Sequence, residues 1–325
     1  MKRSIAALTA LLMMCSLLIL PAAAEEPNPY DTLMTWPALN AGSSAAAAAS
    51  VAALPEVADV RQGESHMAVL LKDGTVRACQ TPAEIFGFTL DAGECGTEDW
   101  EDVTAIACGA ESTYGVRSDG RVLVAGNSAM LGFDIGTLND ESRAIAALRN
   151  IVDIETRPYK PVFVLDKNGR VHRFYDEFGD YGETENWRNV KELGLTRDSL
   201  FALRTDGTVL CLPGDAPAVK GIRSLLVTDT VVWGRKADGT LVRLDSDGDE
   251  PVVPFSDFYE DGVTFSEDGI VSAEGELGEK LADWPAMAGV LCGEDNFNWE
   301  CALRWVLGWD ADGSCRIAFA LEPGD

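Results

Sequence analysis

Short apolar segments joined at Asp-Gly or Asn-Gly recur along most of this chain, and they predict a series of β-hairpins. One copy runs from Ala68 to Val76, and another runs from Gly115 to Val122. Asp or Asn followed by Gly between apolar runs is a strong hairpin signal, and we expect type I′ turns with positive φ at both central residues. Seven such turns are expected, at Gly74, Gly120, Gly169, Gly207, Gly239, Gly269 and Gly313.

A second recurring pattern precedes the turns, and it consists of a large apolar residue, two variable residues and an aliphatic residue. The clearest copies begin at Trp100, Leu148 and Trp187, and weaker copies are placed at Val57-Ala58-Asp59-Val60 and at Trp284. Because the tryptophans recur at equivalent positions, we assign Trp100, Trp187 and Trp284 to packing between repeats. Each unit then holds at least three strands, and a fourth is expected in connecting segments such as residues 80–99.

The spacing of the turn glycines indicates a repeat protein. It ranges from 30 residues, between Gly239 and Gly269, to 49 residues, between Gly120 and Gly169. Self-similarity at periods of 20 to 50 residues is typical of solenoids, propellers and arrays. We therefore predict one all-β repeat domain over residues 57–325.

Residues 100–127 carry the repeat best, and they resemble a repeat of the regulator-of-chromosome-condensation family. The matching features are Trp100-x-x-Val103, Ile-Ala-Cys-Gly ending at Gly109, the turn at Gly120, and Gly126-Asn127. The resemblance implies a β-propeller of about seven blades, with about four strands each around a central channel. The chain departs from the family in its short units between residues 219 and 275 and in lacking a Trp-Gly pair after the turn. The resemblance implies the fold, and not the nucleotide-exchange activity of the founding member.

The chain begins with the features of a secretory signal peptide. Lys2 and Arg3 precede an apolar run that ends at Leu20, and Ala22-Ala23-Ala24 forms a cleavage site. A lipoprotein leader ending at Cys15 is the alternative. We expect a signal peptide over residues 1–24, an Ala-rich low-complexity linker over residues 25–56, and a secreted or cell-envelope location without membrane insertion after cleavage.

The charge of the chain restricts its partners. The formal net charge is −27, and removal of the leader makes it two units more negative. A chain this acidic repels phosphate backbones, so we expect no nucleic-acid partner. High negative charge also keeps an exported protein in solution.

Seven of the eight cysteines remain after leader cleavage. Disulfides are permitted in exported proteins, and an odd number leaves at least one cysteine outside an intrachain pair. The pairs we expect are Cys79 with Cys95 and Cys292 with Cys301. Cys108 fits better as a small buried residue.

Motifs for catalysis or metal binding are sparse. The two histidines, His66 and His172, fall in different repeats, and no GxSxG, HExxH or P-loop sequence occurs. The segment from Asp245 to Glu250 has alternating carboxylates, but its Gly248 is fourth, whereas the calcium loop of an EF-hand requires Gly at the sixth position. We expect no catalytic residues, no metal and no cofactor. Abundant carboxylates leave open a facing pair like that of glycosidases.

Strand parity predicts where a ligand binds. Successive loops of an up-and-down sheet alternate between its two ends, so the Asp-Gly turns share one face and the loops one strand earlier share the other. Aromatic residues in such loops are candidates for binding hot spots. The candidate ligand-binding residues on that face are His66, Tyr114, Tyr159, Arg197, Phe297 and Trp299.

These observations predict an exported, monomeric binding or scaffold module without catalysis. The expected partner is a protein or a cell-surface polymer. One alternative is a secreted enzyme inhibitor, because β-lactamase-inhibitor proteins exist on the propeller that the resemblance implies. Another is a polysaccharide hydrolase or lyase that uses paired carboxylates.

Overall fold

The computed structural model describes residues 44–64, 66–80, 84–85, 88–89, 93–126, 138, 140–175, 184–214, 218–227, 232–244, 263–265, 268–298 and 301–323. It describes the backbone alone at residues 84–85, 88–89, 264, 294–298, 301–302 and 321–323. The predicted signal peptide and the segment 245–250 lie outside these residues.

The described strands form seven antiparallel units, six with three strands and one with two, and a separate small hairpin. This confirms the prediction of an all-β propeller, although the units show three strands where the family resemblance implied about four. The small hairpin, β4–β5, occupies the segment where a fourth strand was expected, and it forms a sheet of its own. The units are, in chain order, β1 (Val57–Gln62), β2 (His66–Leu71) and β3 (Val76–Gln80), followed by the hairpin of β4 (Glu84–Ile85) and β5 (Phe88–Thr89); β6 (Val103–Cys108), β7 (Ser112–Arg117) and β8 (Val122–Gly126); β9 (Ile151–Glu155), β10 (Val162–Asp166) and β11 (Val171–Phe174); β12 (Val190–Leu195), β13 (Leu200–Arg204) and β14 (Val209–Leu212); β15 (Ile222–Val227), β16 (Val232–Lys236) and β17 (Leu241–Arg243); β18 (Thr264–Phe265) and β19 (Val271–Ser272); and β20 (Gly289–Asn298), β21 (Cys301–Trp309) and β22 (Cys315–Pro323).

The Asp-Gly turns join the second and third strands of their units, but their geometry is not the one expected. Gly74 has φ 82°, whereas Asp73 is not among the residues with positive φ. Gly74 N–H donates to Leu71 O at 2.9 Å, and Leu71 N–H donates to Thr75 O at 2.9 Å. This is a type I turn followed by a left-handed glycine, the usual three-residue hairpin. The prediction of type I′ was wrong because the Asp73 carboxylate accepts from Thr75 N–H at 2.9 Å, which stabilises the type I turn instead.

The carbonyl oxygens of six turn glycines also accept a hydrogen bond from the next unit. Val103 N–H, at the start of the second unit, donates to Gly74 O in the first unit at 2.9 Å, and Val57 N–H donates to Gly313 O of the seventh unit at 2.9 Å. The last bond closes the ring. The carbonyl oxygens that accept equivalent bonds from the following unit are those of Gly74, Gly120, Gly169, Gly207, Gly269 and Gly313.

The hydrophobic core is divided into clusters that lie between consecutive units. Trp100 belongs to the cluster between the first and second units, and its ring lies over Gly115, where a Cβ would be 2.7 Å from Trp100 Cζ3. Trp187 lies in the cluster between the third and fourth units. Trp284 packs beside Gly308 of β21. The three tryptophans thus lie at unit boundaries, where burial of large aromatic side chains stabilises the contact.

The residue before the first strand of four units has a left-handed conformation. Asp102, Asn150 and Asn189 have φ of 58°, 62° and 60°, and Glu56 has φ 54° in the first unit. Glu56 therefore corresponds to Asp102, and the first unit's copy of the second pattern is residues 54–57. The copy placed at residues 57–60 was three residues too late.

Three helices lie among the described residues: α1 (Ser44–Ala52), α2 (Asp140–Ala147) and α3 (Gly275–Leu281). α1 lies within the segment predicted as a linker, yet its Ala45, Ala48 and Ala49 are completely buried. The described part of that segment is therefore packed into the fold. None of the described helices is both long and apolar enough to cross a membrane.

The expected disulfides are not formed. Among the described cysteines, no bond joins Cys79 to Cys95. Cys292 pairs across the hairpin with Val306, five positions along β21 from Cys301. Five residues of strand span about 17 Å, whereas the Cα atoms of a disulfide lie within about 7 Å, so this pair is geometrically excluded.

Candidate functional site

The strand directions define two faces of the ring. The first strand of each unit starts beside the Asp-Gly turns, and the second strand returns to them, as the pairing of Val57 with Leu71 and of Gln62 with Met67 shows. We call the end with the turns the turn face and the opposite end the loop face. In the units whose first and second strands are both described, the loops between these strands lie on the loop face, as strand parity predicted.

Loops of the first three units meet on the loop face. Tyr159, between β9 and β10, donates its hydroxyl hydrogen bond to the carboxylate of Glu64, which follows β1. A Cβ on Gly63 would lie 2.6 Å from Gly109 O, so the loops of the first two units are also in contact. We call residues 63–64, 109–111 and 156–160 the mouth.

Tyr159 is the most distinctive residue of the mouth. It is 39% exposed, and in the described part of the chain Val152 and Ile270 are the other large apolar side chains that solvent reaches to this extent. Its φ is 59°, a conformation that is uncommon for a residue other than glycine and that tends to occur at functional sites. The Glu64 hydrogen bond holds this aromatic ring in a fixed, accessible position.

The mouth contains two carboxylates, Glu64 and Glu111, and two basic side chains, Arg157 and Lys160. Burial raises the pKa of Glu111, and the charges of Glu94 and Glu64 raise it further. Burial and the hydrogen bond to the Glu64 carboxylate also raise the pKa of Tyr159, so its phenol stays protonated. The mouth therefore presents carboxylates and a phenol to solvent.

Two of the predicted ligand-binding residues are buried. His66 is the first residue of β2 and is completely buried, and Tyr114 lies within β7 and is also completely buried. Thr113 Oγ1 donates to Glu94 O at 2.8 Å, so it must accept from His66 Nε2–H, 2.8 Å away. Burial lowers the pKa of His66 to about 4. His66 is thus a neutral side chain that hydrogen-bonds the first unit to the second. Tyr114 belongs to the hydrophobic cluster between the second and third units.

The other described candidates, Arg197 and the backbone of Phe297, lie toward the loop face but are not shown in contact with Tyr159. Arg197 lies half-buried in the loop between β12 and β13. Phe297 lies near the end of β20, and its side chain and all of Trp299 fall outside the described residues. The structure therefore joins Tyr159 to Glu64, which sequence reasoning did not select.

Charged side chains of the first strands form a second cluster, inside the ring. The first strands of consecutive units lie side by side, β1 with β6, β6 with β9 and β9 with β12. Arg61 of β1 binds Asp59 at 2.9 Å (Nε to Oδ2) and reaches Glu155 of β9, with 3.7 Å between Nη2 and Oε1. The intervening strand has Ala105 and Ala107 at the matching positions, which leaves room for this contact.

Carboxylates of this cluster join the strands of neighbouring units. Asp153 accepts from Ile154 N–H at 2.9 Å and from Leu193 N–H of the next unit at 3.3 Å. Glu192 accepts from Leu225 N–H of the unit after that at 2.8 Å. Burial raises the pKa of Asp153 and Glu192. We call Asp59, Arg61, Asp153, Glu155 and Glu192 the channel cluster.

Glu155 is a carboxyl group of the channel cluster with a strongly raised pKa. Burial raises its pKa to about 7, although Arg61 opposes this change. Its side chain is 13% exposed. A signal for the cluster was present in the sequence, because Asp59, Asp153 and Glu192 each stand two positions after the aliphatic residue that opens a first strand. No group of three His, Cys, Asp or Glu side chains suited to a metal ion was found in the part of the chain that the structure describes.

Comparison with known proteins gives similarity at the level of solved structures. No family model matches the chain, and no curated protein sequence matches it. Prp20p from Saccharomyces cerevisiae, described with its binding to Gsp1p and histones, is 15% identical, with 78% of this chain and 72% of that chain covered and a TM-score of 0.43. Human WBSCR16 is 12% identical over 62% of this chain and 69% of that chain, with a TM-score of 0.39.

A lectin from Aleuria aurantia, described as a six-bladed propeller that recognises fucose, is 10% identical, with 84% of this chain and 97% of that chain covered and a TM-score of 0.36. Seven repeated turns define the architecture from the chain itself, and six of them accept a hydrogen bond from the following unit; one of these six bonds joins the last unit to the first and closes the ring. The protein is a β-propeller whose repeats resemble those of the regulator-of-chromosome-condensation family.

Proposed function

We propose that this protein is an exported, non-catalytic binding module that recognises a protein partner through the mouth of its loop face. The observation that supports this proposal most strongly is Tyr159, an exposed aromatic residue in a left-handed conformation, fixed by Glu64 of another unit. Tyrosine is enriched among binding hot spots because it offers a large contact area with a polar end. A ring that is already fixed loses little conformational entropy on binding.

The acidity of the chain as a whole favours a partner with a basic surface. Glu64 and Glu111 lie on the same face as Tyr159, and the whole chain carries a net charge of −27. Opposite charge accelerates association and is screened by salt. We therefore expect the dissociation constant to increase as ionic strength rises.

The channel cluster bears on the alternative of a polysaccharide hydrolase. A carboxyl group with a pKa near 7, such as that of Glu155, is the kind used as a general acid in glycosidases. However, Asp153 and Glu192 accept backbone N–H groups of the following units, and Arg61 contacts Asp59 and Glu155. These contacts hold the ring together, which supports a structural role for the cluster.

The test uses the protein purified after export as bait for culture medium and cell-envelope extract, followed by measurement of the affinity for the captured protein. Tyr159→Ala removes the aromatic ring, and Ile270→Ala is the matched control, because Ile270 is 51% exposed and follows the Gly269 turn on the opposite face. Loss of a hot spot costs at least about 2 kcal/mol, or roughly 30-fold in affinity.

Binding that Tyr159→Ala weakens and Ile270→Ala preserves is the expected result. Equal affinity of both variants would contradict the site. Capture of a cell-surface polymer instead of a protein would show that the partner is a polymer of that kind. Turnover of a polysaccharide that is lost in Glu155→Gln would replace the binding module by an enzyme.

A further inference from the structure

The junction between the seventh and first units lacks the covalent connection that the other junctions have. Consecutive units are otherwise joined by the chain that runs from a third strand to the next first strand. In two of these connections the chain forms a helix, α2 before β9 and α3 before β20. Ile145 of α2 is completely buried between the second and third units, and Leu277 and Leu281 of α3 are buried between the sixth and seventh.

α1 holds the equivalent place at the open junction. It ends at Ala52, shortly before the pattern at residues 54–57, just as α2 ends shortly before residues 148–151. It contacts β2 and β3 of the first unit and β20, β21 and β22 of the seventh. Its alanines share one hydrophobic cluster with Val57 and Met67 of the first unit and with Trp305 and Leu307 of the seventh.

Polar contacts fix α1 in this position. Trp305 Nε1 donates to Ser44 Oγ at 2.9 Å, which ties the start of the helix to the seventh unit. On the other side of the junction, Cys79 Sγ of the first unit donates to Ala47 O of the helix at 3.9 Å. The small alanine side chains allow close approach of both sheets, because Ala45, Ala48 and Ala49 have no exposed surface.

We propose that α1 is the closure element of the propeller. α1 packs between the seventh and first units, as α2 and α3 pack between units that are consecutive in the chain. The chain does not connect α1 directly to the seventh unit, and the first and seventh units separate when the helix is displaced. The folded ring therefore starts at α1 and not at residue 57. A helix with this role is buried on both sides, whereas a linker would be solvated.

The test is hydrogen exchange, resolved by peptide, on full-length exported protein that carries Ala48→Asp. A charge at this fully buried position displaces α1. The matched control is Ala144→Asp, which introduces the same side chain at an exposed position of α2. We expect at least 10-fold faster exchange in β1–β3 and β20–β22, with β9–β14 unchanged, and no change at either place in the control.

Unchanged exchange in the first and seventh units would overturn the proposal. If Ala48→Asp does not fold, Ser44→Ala is measured in its place, because it removes the acceptor of the Trp305 N–H group. Faster exchange confined to the first and seventh units then supports closure by α1. Exchange that is faster to the same extent in all units, or nowhere, overturns it.

Discussion

Replacement of Gly120 by alanine tests whether the turn glycines hold consecutive units together. Gly120 has φ 78°, and a left-handed conformation costs an alanine about 1–2 kcal/mol. A Cβ there would also lie 2.8 Å from Asn150 Cα and 3.0 Å from Asn150 N of the next unit. Forcing extra atoms into a packed contact costs about 1–3 kcal/mol more. We expect Gly120→Ala to lower the free energy of unfolding by about 2–5 kcal/mol.

Gly239→Ala is the matched control, because Gly239 has φ 90° but no neighbouring atom among the described residues lies within 4 Å of the place a Cβ would take. It carries the conformational cost alone, about 1–2 kcal/mol. Urea unfolding followed by tryptophan fluorescence measures both variants, and hydrogen exchange at Ile151 reports the bond to Gly120 O, 3.0 Å long in the native protein. Equal destabilisation by the two substitutions, with Ile151 equally protected in both, would refute the assignment of the turn glycines to contacts between units.

Three further predictions follow from buried groups. Glu155→Gln changes the pH dependence of stability: because the folded pKa is raised from 4.5 to about 7, this carboxyl stabilises the protein below pH 4.5 and the stabilisation is lost as pH rises through 7. The variant's unfolding free energy should therefore gain up to about 3 kcal/mol relative to the native protein between pH 4.5 and 8, and parallel curves would contradict this. Burial raises the pKa of Cys108 to about 12, so Cys108 should resist alkylation at pH 8 in the native protein and react after denaturation; rapid native labelling would show that it is accessible. Trp100→Ala should cost about 3–5 kcal/mol through the cavity between the first two units, and a loss below about 1 kcal/mol in urea unfolding would show that the ring does not contribute to that junction.

The local elements were predictable because they depend on neighbours in sequence. Asp-Gly between apolar runs specified the hairpins, since the glycine alone takes positive φ and the Asp73 carboxylate accepts from Thr75 N–H. The predicted turn type was wrong because this side-chain hydrogen bond favours a type I turn. A glycine with positive φ occurs both after a type I turn and within a type I′ turn, so Asp-Gly alone does not distinguish the two. Strand parity placed Tyr159 on the loop face, and that depends only on counting strands.

Features that join distant units were not predictable from the pattern. Tyr159 and Glu64 are 95 residues apart, and no local signal links them. Tyr114 and His66 were expected in loops, but the second strands begin earlier than the apolar runs at Ala68 and Gly115 suggested, so both residues belong to second strands and are buried. The expected Cys292–Cys301 pair failed because β20 and β21 extend far beyond the other strands, which separates the two cysteines. The Ala-rich segment had no amphipathic pattern, since α1 is buried on both sides.

The hydrogen bond that a turn glycine accepts from the next unit makes the geometry of the ring independent of the length of a repeat. The same bond recurs at the described junctions, although successive glycines are 30 to 49 residues apart. The extra residues lie in the segments that leave the third strands at the loop face, so they do not enter the turn-face contacts. Insertions in these segments therefore enlarge or remodel the loop face one repeat at a time, while the dimensions of the ring stay the same.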